Sequence, residues 1–172
     1  MAPFTIRPVS SSPAQIIMLC NLLIETVASG GSVSFMHPLE LQEADAFWSA
    51  ALNSATQGER TILGAFDGDR LAGTVSLVLV QTPNQPHRAE ISKLMTSVDY
   101  RGQGVATLLM QAAETLAREH GRTHLMLDTA SDSNAVSLYE KLGFQRAGEI
   151  PDFALNPFGE LTSTIFFWKS LQ

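Results

Sequence analysis

Apolar positions along the chain change period near residue 60. Ahead of it, Ile16, Leu19, Cys20, Leu23 and Val27 recur at the three- and four-residue intervals of one helix face. Ser10-Ser11-Ser12-Pro13 offers a capping hydroxyl and a first-turn proline before that helix, and Gly30-Gly31 stops it. Glu40 to Ala55, carrying Phe47, Trp48 and Leu52, predicts a second helix, and Phe4 to Val9 a strand ahead of both. Beyond Arg60 the spacing becomes strand-like. Thr61 to Phe66 and Leu71 to Gln81 flank the hairpin turn Asp67-Gly68-Asp69, and Arg88 to Val98 follows the break at Pro83-Asn84-Gln85-Pro86. A helix is predicted from Gly102 to His120, with Val105, Leu108, Leu109, Ala112 and Leu116 facing inward. Thr123 to Thr129 is the next strand. A helix capped by Ser131 or Asp132 then runs to Leu142 and ends at Gly143. Phe144 to Glu149 is a strand, Pro151 to Gly159 a loop, and Leu161 to Lys169 the last strand.

This order, hairpins first and helix crossovers later, predicts an α/β (α+β) fold. Its centre is a mixed, mostly antiparallel sheet of about seven strands flanked by about four helices. No repeat, low-complexity tract or linker divides residues 1–172, so a single domain is expected. The formal net charge of −6 argues against nucleic-acid or membrane-surface partners, which require basic patches. Met1 to Ser10 lacks the basic-then-apolar order of a leader, and one cysteine, Cys20, permits no intrachain disulfide; a cytoplasmic setting is the expectation. His120 and His124 are separated by the helix stop Gly121, so they do not share a helix face, and no metal site is expected.

The densest chemical signal is Arg101-Gly102-Gln103-Gly104-Val105-Ala106, at the junction of a strand and a helix. Unshielded backbone amides at a helix start, with the positive end of the helix dipole, make an anion site. A P-loop would need Gly-Lys-Ser or Gly-Lys-Thr, and a dinucleotide fingerprint a third glycine in an N-terminal βαβ unit; both are missing. The alternative is a plain tight turn. The residues fit a further pattern, Arg/Gln-x-x-Gly-x-Gly/Ala. Downstream, Asn134-Ala135-Val136-Ser137-Leu138-Tyr139 leads to Gly143-Phe144, and upstream stands Ala89-Glu90-Ile91. With these three blocks the chain resembles the GNAT superfamily of acyl-CoA-dependent N-acetyltransferases. Glu25-Thr26-Val27, Gly30 to Met36, Lys93-Leu94-Met95, Leu127-Asp128-Thr129 and Phe167 to Leu171 extend the resemblance to the tabtoxin-resistance subfamily.

The resemblance implies transfer of acetyl from acetyl-CoA to an amine. Arg101, Gly102, Gln103, Gly104, Val105 and Ala106 would face the pyrophosphate, and the strand end Leu94-Met95-Thr96 would pair its backbone with the pantetheine arm. An amide near Met95 would be the oxyanion donor, although the side chains of Leu94 and Met95 equally suit core packing. Tyr139 would protonate the leaving thiolate; the alternative is a packing tyrosine. Asn134 either contacts coenzyme A or caps its helix. Glu90 and Asp128 are rival bases. Five residues, roughly 16 Å of extended strand, separate Glu90 from Met95, so Glu90 would act through water. Plain alternatives are a strand-end charge for Glu90 and a helix cap for Asp128. The loops Gly30 to Leu39 and Pro151 to Gly159 would wall the acceptor, with Ser34, Phe35 and Asp128 touching it. The partner implied is a small-molecule amine, an amino-acid-like toxin or antibiotic for example. A peptide or protein amine, or a non-catalytic coenzyme-A-binding sensor, are the alternatives. Oligomeric state, monomer or homodimer, stays open.

Overall fold

The computed structural model describes residues 4–172. Met1 to Pro3, the start of the segment read for a leader, lie outside the described residues. The elements are β1 (Thr5–Pro8), α1 (Pro13–Ala28), α2 (Leu41–Thr56), β2 (Arg60–Asp67), β3 (Arg70–Leu79), β4 (Arg88–Thr96), a 3₁₀ turn (Val98–Tyr100), α3 (Val105–Glu119), β5 (His124–Ala130), α4 (Ala135–Lys141), β6 (Gln145–Leu155) and β7 (Leu161–Ser170). The strands form one sheet in the order β1-β2-β3-β4-β5-β7-β6. Every pairing is antiparallel except β4 with β5. The mixed, mostly antiparallel α/β fold expected from the sequence is therefore present.

Two apolar layers cover the sheet. Leu19, Leu23 and Val27 of α1 and Trp48 of α2 bury against Ile62, Phe66 and Met95. On the opposite face Val105, Leu109, Met110, Ala113 and Ala117 of α3 bury against Val75, Leu77, Ile91 and Leu125. The α3 stripe is rotated from the predicted one: Leu108 is exposed and Ala112 and Leu116 only partly buried, whereas Met110, Ala113, Glu114 and Ala117 are buried with Val105 and Leu109. Glu114 is buried because Lys169 on β7 reaches it at 2.6 Å and also donates to the Leu142 carbonyl at the end of α4. A charged residue at a core position masks the helix phase when only apolar residues are counted.

Three boundaries differ from expectation. The strand before the glycines ends at Thr96, and Val98–Tyr100 forms a 3₁₀ turn in place of more strand. The following helix begins at Val105, since Gly102 and Gly104 both have positive φ, 76° and 82°. Pro151 to Leu155, predicted as loop, continues β6. Proline reads as a strand break because it lacks an N–H, yet β6 is the sheet's outer strand, where one missing donor is tolerated. The strand absorbs an irregularity between Ile150 and Ala154, with Asp152 at φ 51°.

Gly73 on β3 lies where a Cβ would meet the Met95 carbonyl at 2.7 Å and Val105 Cγ1 at 2.8 Å. Gly73→Ala is therefore expected to push β4 and α3 off β3 and to cost about 1–3 kcal/mol of stability. Urea unfolding of the variant against the parent measures it, and an unchanged midpoint would show that the two elements can yield.

Candidate active site

The register of β4 shapes the site. Thr74 pairs with Met95 and Ser76 with Ser92, so β4 carries one extra residue there, and Lys93 takes φ 53°. The bulge turns β4 away from β5. Parallel pairing holds at Arg88–His124, Ala89–Leu125 and Glu90–Met126 and then stops. Past that point the strands splay. Ser97 N–H donates to the Ala72 carbonyl at 2.9 Å, so alternation along the extended chain points the backbone groups of Met95 toward β3 and those of Leu94 and Thr96 toward the gap.

A cleft of about 710 Å³ opens at the splay. Leu94, Met95 and Thr96 form one wall and Thr129 and Ala130 of β5 the other. Arg101, Gly102, Gly104, Val105, Ala106 and Thr107 close one end, with Asn134, Ala135 and Leu138 beside them. An added Cβ at Gly102 or Gly104 would meet nothing within 4 Å, so their backbone faces open space. The first-turn amides of α3 aim into the same end. Arg101 is exposed and donates to Ser29 Oγ at 3.2 Å, joining the turn to the end of α1. Gln103 does not line the cleft; its amide donates to the Asp99 carbonyl at 3.1 Å. Asn134 stands at the start of α4 with no capping bond from its own side chain, while Ser133 Oγ accepts from Ala135 N–H at 3.1 Å. Ser131 and Asp132, expected as the cap, precede that position.

Tyr139, Asp128 and Glu90 flank the cleft without lining it. Tyr139 is buried in α4, its ring 6.0 Å from Phe144 and 5.8 Å from Phe167. Burial, reinforced by the charge of Asp128, raises its pKa above the ordinary phenol value, so the phenol stays protonated at neutral pH. Leu125 and Leu127 face α3, which places Met126 and Asp128 on the opposite surface of β5. By the same alternation Glu90, between buried Ala89 and Ile91, shares that surface. Asp128 keeps much of its area open to water. Even so, partial desolvation raises its pKa, the nearby Glu90 adds to the rise, and Lys93 opposes it. Glu90 is held by Arg88 at 2.7 Å.

Ser34 and Phe35 lie on this second surface and outside the cleft. Ser34 Oγ accepts from Lys93 Nζ at 3.1 Å, and the Phe35 ring packs edge-on to Phe47 at 5.2 Å. The loop after α1 meets the turn after β6, where His37 N–H donates to the Pro157 carbonyl at 2.9 Å. Lys93, Phe47 and Phe166 have no place among the residues read from the sequence as functional. The signal for Lys93 is a phase slip: apolar Ala89 and Ile91 alternate, and then Leu94 and Met95 are adjacent.

The family model described as the acetyltransferase (GNAT) family matches residues 29–144. N-alpha-acetyltransferase 30 of Schizosaccharomyces pombe is 36% identical over 93 residues, 54% of this chain and 62% of that protein. The match thus spans less than two thirds of that relative, and 39% of the N-acetyltransferase 8B of Rattus norvegicus. Among solved structures, an N-acetyltransferase from Staphylococcus aureus Mu50 superposes with a TM-score of 0.83 at 17% identity, covering 98% of this chain and 99% of that one. A phosphinothricin acetyltransferase from Sinorhizobium meliloti, solved in complex with acetyl-CoA, superposes with a TM-score of 0.82 at 17% identity, covering 99% and 89%.

Proposed function

Because the chain belongs to the acetyltransferase (GNAT) family, we propose that it acetylates the amine of a small, amino-acid-like molecule with acetyl-CoA as donor. The observation that carries this is the cleft: a gap between parallel strands that ends on a glycine turn and a helix N-terminus. The donor supplies an activated thioester on a polyanionic handle. The residues present suit that handle. Open backbone at Gly102 and Gly104, the α3 amides and the Arg101 guanidinium offer donors to a pyrophosphate. Leu94 and Thr96 present unpaired backbone groups toward an extended arm, and one of their N–H groups is the oxyanion donor near Met95.

On the acceptor side, Asp128 takes a proton from the acceptor ammonium, directly or through water, and frees the lone pair for attack. As the new C–N bond forms and the C–S bond breaks, Tyr139 O–H donates its proton to the departing sulfur; the second proton of the attacking nitrogen returns to the phenol oxygen through water, and Asp128 releases the first to solvent, leaving the amide, the free thiol and both residues restored. Glu90 is the weaker candidate for the base because Arg88 already neutralises it. Partial desolvation and the Glu90 charge bring Asp128 nearer to neutral pH than an ordinary carboxylate. The carboxylate must be ionised to act, so activity falls as pH drops through that raised pKa. Asp128→Asn is expected to reduce kcat/KM by roughly 10²-fold and to erase that acid limb from the pH profile. An unchanged profile would transfer the role to Glu90 or to bulk water.

A small acceptor is favoured over a peptide because the bond from His37 to Pro157 ties together the two loops beside the cleft. The resemblance to the tabtoxin-resistance subfamily points the same way, toward amino-acid-like toxins or antibiotics. The opposing observation is the similarity to N-alpha-acetyltransferase 30. Thiol release from acetyl-CoA, measured against amines, amino acids and peptides, decides the matter. Release with small amines supports the proposal. Release only with peptides favours the other acceptor, and tight coenzyme A binding without release favours a sensor.

A further inference from the structure

The surface carrying Asp128 holds a second charge that the transfer chemistry does not use. Lys93 sits at the β4 bulge, its Nζ 5.5 Å from the Phe47 ring centre and 3.1 Å from Ser34 Oγ. Among the described residues, neither Lys93 nor Asp128 takes part in an ion pair. Glu90, on the same surface, is held by Arg88.

We propose that this surface binds the acceptor as a zwitterion, with Asp128 meeting its ammonium and Lys93 its carboxylate. The acceptor class is then free α-amino acids and their close analogues, in preference to plain amines or peptide N-termini. The inference rests on the transfer reaction proposed above. Two opposite charges that face one surface without touching present a positive wall and a negative wall. An α-amino acid carries its charges on adjacent carbons and satisfies both walls at once. A peptide N-terminus has no carboxylate beside its amine and leaves Lys93 unanswered. Burial lowers the affinity of Lys93 for its proton and raises that of Asp128, so each charge gains from an incoming counter-charge.

The backbone here is held in unusual conformations. Among the described residues, the three non-glycine positions with positive φ are Ser34 at 75°, Lys93 at 53° and Asp152 at 51°. Ser34 and Lys93 are hydrogen-bonded to one another, and Phe153, next to Asp152, packs at 5.6 Å against Phe166, the register partner of Asp128. Such conformations are retained where surrounding structure imposes them, commonly around binding sites. Phe35, Phe153 and Phe166 add an apolar wall for the acceptor side chain.

The test uses coenzyme-A-loaded protein, with calorimetry and thiol release run in parallel on the twenty L-amino acids and their carboxamides. At least one free acid is expected to bind, and its amide to bind roughly tenfold or more weakly. Lys93→Met keeps the stem length and is expected to collapse that acid-to-amide ratio toward one, while Lys93→Arg restores part of it. Equal binding of acid and amide, a ratio unmoved by Lys93→Met, or no binding by any free acid would overturn the assignment. Acid binding that depends on Lys93 without thiol release would sink the transfer reaction and leave the zwitterion site standing. Thiol release with amides or peptides as good as with acids would do the reverse.

Discussion

Tyr139→Phe is expected to lower turnover by roughly tenfold or more while coenzyme A affinity stays within a few-fold. The substitution removes one oxygen and keeps the ring that packs on Phe144 and Phe167. No protein group among the described residues hydrogen-bonds to the Tyr139 hydroxyl, so its loss orphans no partner. The fold should be indifferent, and a melting curve run beside the thiol-release assay separates chemistry from stability. Burial and the charge of Asp128 hold the phenol above its ordinary pKa, so it remains protonated throughout the neutral and mildly alkaline range. An alkaline decline in the parent enzyme would then have another origin, and Tyr139→Phe should lower the whole profile without reshaping that limb. If turnover survives intact, Tyr139 is a packing residue and the thiolate takes its proton from water.

Gly104→Val should weaken coenzyme A binding by roughly tenfold or more, about 1.4 kcal/mol. The cause is not a clash within the protein, since a Cβ at Gly104 meets nothing within 4 Å. That open space is the cleft, so the new methyls stand where a pyrophosphate would approach the amides of α3. The side chain also pays for a left-handed backbone, φ 82° and ψ 5°, by about 1–2 kcal/mol. Gly58 supplies the control. It has φ 76° and equally empty space, but lies between α2 and β2, away from the cleft. Gly58→Val should lower the melting temperature by a comparable amount and leave coenzyme A titrations unchanged. Equal affinity losses in both variants would trace the effect to stability and remove the cradle from the argument.

Much of this molecule was legible in the sequence, for physical reasons that also explain the gaps. The helix faces of α1 and α2 and the hairpin of β2 and β3 obey simple periods, so their burial follows the apolar pattern. The glycine turn stood out because positive φ at two positions demands that residue type. Nine of the ten residues read as gripping the donor line the cleft; Gln103, turned back onto Asp99, does not. What escaped was set by tertiary context. The sequence does not reveal that β6 is the outer strand, and only that position lets it run through Pro151. The buried Glu114 is explicable only once Lys169 is seen above it. Lys93 belongs in the sequence only to the block Lys93-Leu94-Met95, with no role read for its side chain. It matters because one extra residue in β4 swings it onto the surface beside Asp128, and such a bulge is a property of two strands together.

The brief pairing of β4 with β5 also has a mechanical meaning. Four strands lie on one side of that junction and three on the other, and strand pairing joins them only at one end, over the three register pairs Arg88–His124 to Glu90–Met126, with the His87 carbonyl accepting from Thr123 and His124 beside them. The sheet is two plates joined by backbone at one end and under α3 by side chains, with the slit at the other end. A molecule threaded into the slit touches both plates and stiffens the joint as a wedge does, so occupancy and rigidity of the sheet rise together.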